Sequence, residues 1–100
     1  MSGALPDRAQ AIIIGGGIHG CSVAYNLAKA GCSDVILLER KQLTSGTTWH
    51  AAGLVGQLQS SYATTAFVSY GVELLQEIEA ETGQNQGFRQ NGSISIVLND

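Results

Sequence analysis

Charge is scarce in this chain of 100 residues: Asp, Glu, Lys and Arg together make up 13% of it, against about a quarter in an ordinary soluble domain. Its five basic residues are scattered and the net charge is −3, which argues against nucleic acid as a partner. No apolar run approaches the roughly eighteen residues of a membrane span, so no membrane partner is predicted. The two cysteines, Cys21 and Cys32, form no C-x-x-C pair and no ligand-spaced set with histidine. Two reduced structural thiols are predicted, with neither a disulfide framework nor a metal site. The single proline, Pro6, falls in residues 1–8, which lack the basic-then-apolar pattern of a signal peptide and the Arg-rich pattern of a transit peptide. Those residues are predicted to be a flexible tail of a cytoplasmic protein.

Glycine, in contrast, is abundant, with thirteen in the chain. Such a number produces chance spacings, so the context of each glycine decides its weight. Ile12, Ile13 and Ile14 form a β-branched run suited to a buried strand, and Gly15, Gly17 and Gly20 follow at G-x-G-x-x-G spacing. Gly15 permits a tight turn, Gly17 lets backbone approach a pyrophosphate, and Gly20 allows close packing of helix on strand. Residues 22–30 carry Val23, Leu27 and Ala30 at helical spacing, and Gly31 stands where a helix-ending glycine belongs. Residues 35–38 are a second strand-like run that ends at Glu39, nineteen positions beyond Gly20. That is close to the offset of about 20 at which a carboxylate takes ribose hydroxyls, and an acidic residue there disfavours a 2′-phosphate. The predicted fold class is α/β: a partial Rossmann-like βαβ unit that binds a dinucleotide.

Residues 41–56 are rich in small hydroxyl residues and glycine around Trp49 and His50. Ser45, Thr47 and Thr48 suit helix caps or phosphate contacts, and Gly46 and Gly53 allow close approach of backbone to a ligand. From the residues alone, His50 reads as a structural histidine. Phe67, Gly71, Leu74, Leu75 and Ile78 then mark the apolar face of a following helix that Gly83 can end, with Glu73, Glu77 and Glu81 on a solvated face. Asn91-Gly92 reads as a turn between Phe88-Arg89 and the alternating Ile94, Ile96 and Leu98, the start of a β-hairpin. One βαβ unit leaves sheet faces to be covered, so the chain is expected to be part of a longer one.

The runs Gly15-Gly16-Gly17-Ile18-His19-Gly20, Leu37-Leu38-Glu39-Arg40 and, most specifically, residues 43–54 (LTSGTTWHAAGL) resemble the amino-terminal FAD domain of the dimethylglycine and sarcosine dehydrogenases. The likeness continues through residues 79–83 and 87–88 to Gly92-Ser93-Ile94. It implies a domain organisation of a leading tail, 1–8, and the amino-terminal part of an FAD-dependent oxidoreductase domain, 9–100. It implies cofactor contacts at Gly15, Gly17, Ile18, His19 and Gly20, at Glu39 and Arg40 on the adenosine side, and at Ser45, Gly46, Thr47, Thr48, Trp49, His50, Ala51, Ala52, Gly53 and Leu54. It further implies a covalent bond from His50 to the 8α-carbon of the flavin, for which a neutral imidazole nitrogen is a competent nucleophile. His19 departs from the small apolar residue usual at its place, with an outward side chain as the expected accommodation.

The implied reaction removes a hydride equivalent from the N-methyl group of dimethylglycine or sarcosine, leaving an iminium. Hydrolysis then gives formaldehyde, or tetrahydrofolate takes up the carbon. No catalytic side chain is expected within these residues, and the electron acceptor is left open. For a eukaryotic chain the resemblance implies the mitochondrial matrix. The alternatives are a flavin amine oxidase with non-covalent FAD and a regulatory relative without turnover. A nicotinamide dehydrogenase would explain Gly15 to Glu39 but not residues 47–53.

Overall fold

The computed structural model describes residues 3–99; Met1, Ser2 and Asp100 lie outside the described residues. The chain divides into two compact units, Met1–Ala52 and Gly53–Asp100.

The first unit opens with exposed, irregular residues 3–8, the described part of the predicted tail. Strand β1 (Ala11–Ile14), helix α1 (Ile18–Lys29) and strand β2 (Val35–Leu38) follow in that order. The two strands pair in parallel with Ile12 opposite Ile36 and Ile14 opposite Leu38. The ladder runs one residue past β1, because the Gly15 N–H donates to the Leu38 carbonyl at 2.8 Å. Gly15 then leaves the strand at φ 106°, a conformation that costs a side-chain-bearing residue dearly.

Side chains alternate along β1, so Ile13 turns toward α1 while Ile12 and Ile14 turn to the other face. A Cβ on Gly20 would overlap the Gly15 carbonyl and come within 3.3 Å of Ile13 Cγ2, which is why α1 can lie so close to the strand. The expectation of a strand buried on both faces is corrected here: Ile14 is 87% exposed. One helix covers one face of a parallel sheet, and none of the described residues of this unit covers the other.

α1 ends as its sequence predicts. The Gly31 N–H donates to the Ala28 carbonyl and the Cys32 N–H to the Leu27 carbonyl, with Gly31 at φ 91°, the paired bonds of a Schellman ending. Cys21 and Cys32 are both free thiols.

The second unit is built on helix α2 (Tyr62–Thr82), closed by Gly83 at φ 69°. It starts earlier than the apolar spacing suggests. Ser61 caps it by accepting from the Thr64 N–H at 3.2 Å, and Thr64 Oγ1 donates back to the Ser61 carbonyl at 3.1 Å. Of the expected apolar face, Gly71, Leu74, Leu75 and Ile78 are partly covered, but Phe67 is 78% exposed and the centre of the covered stripe is Val72, 3% exposed. Glu73, Glu77 and Glu81 face solvent as expected.

The hairpin expected after α2 does not form among the described residues. Gly92 takes φ 81° and the Asn91 N–H donates to the Arg89 carbonyl, so the bend at Asn91-Gly92 is present. The flanking segments make no ladder, and Ile94 is 93% exposed. Alternation supplies a strand's pattern, but a strand exists only with a partner for its N–H and C=O groups.

Candidate functional site: a cleft at the carboxyl ends of the strands

β1 and β2 end side by side, and the N-terminus of α1 rises beside them. Ligand sites of open α/β sheets occupy this place, outside the carboxyl ends of parallel strands. An open cleft of about 380 Å³ lies here, lined by Gly15, Gly17, Ile18, His19 and Gly20 from the glycine turn, Glu39 and Arg40 after β2, and residues 45–48. Ile14 and Lys41 complete its wall. Eleven of the residues predicted for the cofactor thus meet in one place.

Gly16, whose neighbours in the fingerprint are the ones usually given roles, is the hub of the turn and is buried. Its N–H donates to Glu39 Oε2 at 2.8 Å and its carbonyl accepts from the Thr44 N–H at 2.9 Å. A Cβ there would lie 2.6 Å from Leu43 Cδ2. The residues that reasoning from sequence passed over are therefore Gly16, Lys41, Leu43 and Thr44. Leu43 left a signal, being the lone apolar side chain in a polar stretch, whereas Thr44 at φ 66° left none.

Glu39 Oε1 also accepts from the Lys41 N–H at 2.9 Å. The Gly16 bond first, and the Lys41 bond second, hold its carboxyl below the ordinary glutamate pKa. An ionised carboxylate offers about four lone-pair positions, more than these backbone groups take, so it keeps acceptor capacity for the hydroxyls of a ribose. At the phosphate end, the Ile18 N–H donates to Thr48 Oγ1 at 2.9 Å. Among the described residues, no acceptor takes the N–H groups of His19 and Gly20, and the first turn of α1 carries no acidic side chain. Two amides at the positive end of a helix are thus available to an anion. His19 is exposed, as an outward side chain requires.

Thr47–His50 form a short 3₁₀ turn. His50 is exposed and its Nδ1–H donates to the Gly46 carbonyl at 3.0 Å, because a carbonyl can only accept. Nε2 of the neutral ring is then the nitrogen with a free lone pair. The Trp49 ring lies against His50 with centroids 4.0 Å apart. Trp49, His50, Ala51 and Ala52 follow the cleft along the chain and are not in its wall. Gly53 and Leu54 belong to the second unit, where they line a cleft with Phe88 and Arg89.

A family model described as "FAD dependent oxidoreductase" (DAO) matches residues 10–100. The chain belongs to this family of FAD dependent oxidoreductases. The match runs through residues 47–53, the stretch that a nicotinamide reading left unexplained. Over 91 residues this FAD dependent oxidoreductase chain is 49% identical to human mitochondrial dimethylglycine dehydrogenase, covering 91% of the chain and 10% of that protein. It is 46% identical over 96 residues to human mitochondrial sarcosine dehydrogenase, covering 95% of the chain and 10% of that protein. It is also 42% identical over 94 residues to the mitochondrial pyruvate dehydrogenase phosphatase regulatory subunit of Mus musculus, covering 94% and 11%. The chain spans about a tenth of the length of these relatives.

Proposed function

We propose that this chain is the ADP-binding start of the FAD site of an enzyme that oxidises the N-methyl group of dimethylglycine or sarcosine. The observation that carries the reading is the cleft itself. At one end Glu39 presents a carboxylate held in place by the Gly16 and Lys41 N–H groups, and at the other the first turn of α1 presents two unused amides. That polarity matches the ribose and the diphosphate of an adenine dinucleotide. Identities of 49% and 46% to dimethylglycine and sarcosine dehydrogenases support the amine as substrate.

Gly15, Gly17, Ile18, His19 and Gly20 hold the diphosphate through backbone, while Glu39 and Arg40 receive the adenosine half. Residues 45–48 close over it, and Trp49, His50, Ala51, Ala52, Gly53 and Leu54 continue toward the ring. His50 would be the residue that anchors the flavin: its Nε2 would replace one hydrogen of the 8α-methyl group, the electron pair of that C–H bond passing into the ring and on to the enzyme's electron acceptor, with Nδ1–H held by the Gly46 carbonyl. When bound, the flavin accepts the hydride equivalent from the carbon next to the amine nitrogen. The iminium that remains yields formaldehyde, or its carbon passes to tetrahydrofolate. Residues 9–100 form the opening of the FAD domain, and 1–8 lead into it. In a eukaryote the reading implies a mitochondrial location.

The test is acid precipitation of the full-length protein, followed by peptide mapping of any flavin that stays attached. Flavin on the His50 peptide is expected. Flavin released by acid would replace the linkage with a non-covalent oxidase site, and colourless protein would overturn the reading. A second reading, a regulatory subunit without turnover, draws on the 42% identity to the phosphatase regulatory subunit. Anaerobic bleaching of the flavin by dimethylglycine or sarcosine distinguishes the two.

A further inference from the structure

α1 begins without a cap of its own. Its N-cap residue, Gly17, has no side chain to offer. The Ile18 N–H, one of the four amides that a helix leaves without an intrahelical acceptor, is instead taken by Thr48 Oγ1, thirty residues further along the chain. The same hydroxyl lies 2.8 Å from the place a Cβ on Gly17 would occupy. Gly17 has φ −82° and ψ −172°, extended backbone that any residue adopts. Conformation therefore does not require glycine at this position, in contrast to Gly15 at φ 106°.

We propose that Thr48 is a positioning residue: its hydroxyl caps α1 from outside the helix, fastens the 44–48 loop to the glycine turn, and makes glycine obligatory at position 17 before any cofactor arrives. Two bonds fasten that loop to the glycine turn. The Thr44 N–H donates to the Gly16 carbonyl at its base, and Thr48 holds its far end two residues before His50. Rotating the Thr48 side chain away from a new Cβ at 17 would break the cap, so adding that Cβ and deleting the hydroxyl remove the same interaction. The consequence for flavin retention rests on the FAD reading; the cap itself does not.

The competing explanation is that a diphosphate alone forbids a side chain at 17, in which case Gly17→Ala costs the same whatever stands at 48. Four variants of the full-length protein separate the two: Thr48→Val, Thr48→Ser, Thr48→Ala and Gly17→Ala, with the pair Gly17→Ala/Thr48→Ala. The first readout is amide exchange at Ile18 in flavin-free protein, and the second is the fraction of flavin retained after dialysis. Thr48→Val is expected to speed Ile18 exchange on the order of fivefold, with Thr48→Ser restoring it to within about twofold. Gly17→Ala should match Thr48→Ala, and the pair should be no worse than Thr48→Ala alone in either readout. Unchanged Ile18 exchange in Thr48→Val, or an equal cost of Gly17→Ala in both backgrounds, overturns the proposal. Should Thr48→Val fail to fold, Thr48→Ser and the comparison of the pair with Thr48→Ala decide. Should exchange respond as expected while the unaltered protein binds no flavin, the cap stands and the FAD reading falls.

Discussion

Gly16 and Glu39 show how single residues tie the cleft together. One carboxylate accepts two backbone N–H groups, from Gly16 and Lys41, and both bonds favour its ionised form. A carboxyl whose folded pKa is depressed stabilises the fold fully above its unfolded pKa, and that stabilisation is lost as pH falls through the lower, folded value. Unfolding of the full-length protein followed against pH should therefore show a loss of stability on the acid side of the ordinary glutamate range. Glu39→Gln should flatten that part of the profile, because an amide does not titrate there. Thr44 offers a test of the opposite sign. It is β-branched yet held at φ 66°, a conformation costing such a residue about 1–2 kcal/mol. Thr44→Gly should thus gain stability by up to about 1 kcal/mol in urea unfolding, after the greater unfolded-state freedom of glycine is offset.

At the scale of elements, the carboxyl ends of the helices were the most legible features. Gly31 and Gly83 announced two endings because a left-handed residue after a helix is a local demand on the backbone, readable wherever glycine follows helical spacing. The start of α2 was not read from the sequence; the structure places it at the Ser61 cap, which Thr64 completes. Ser61→Ala should cost the first turn of α2 about 1 kcal/mol, seen as faster amide exchange at Thr64 and its neighbours. Which face of α2 is covered was not local. Spacing marks apolar stripes, but Phe67 and Val72 compete for the inside, and only neighbouring segments decide. α1 gives a sharper test of packing. Gly20→Ala would drive a methyl into the Gly15 carbonyl and toward Ile13, so it should cost at least about 1–3 kcal/mol and reduce flavin retention with it.

For the whole molecule, the balance of covered and uncovered apolar residues is the governing fact. Among the described residues only Gly16 and Val72 are buried, while Ile12, Ile14 and Leu38 lie open on one face of the first unit's sheet. Hydrophobic burial is the main favourable term in folding, and a two-stranded sheet with one helix supplies little of it. The 100-residue chain by itself should therefore show no cooperative thermal transition by circular dichroism, and FAD added to it should remain fully removable by dialysis. A sharp transition would mean that the two units stabilise themselves without further cover.

By itself the sequence determined what depends on neighbours in the chain. It determined the parallel βαβ order, the turn at Gly15, the end of α1 at Gly31 and the placing of Glu39 at the mouth of the cleft. Each follows from side-chain shape, backbone freedom or a short spacing, and these act over a few residues. Only the tertiary structure decided which groups meet across longer stretches. Gly16 became a hub because Glu39 and Thr44 fold back on it, α1 is capped by Thr48 because residues 44–48 return to the glycine turn, and residues 93–98 stay unpaired because alternation cannot create a partner strand. Hydrogen bonds between distant residues depend on where the intervening chain goes, and no local pattern encodes that path.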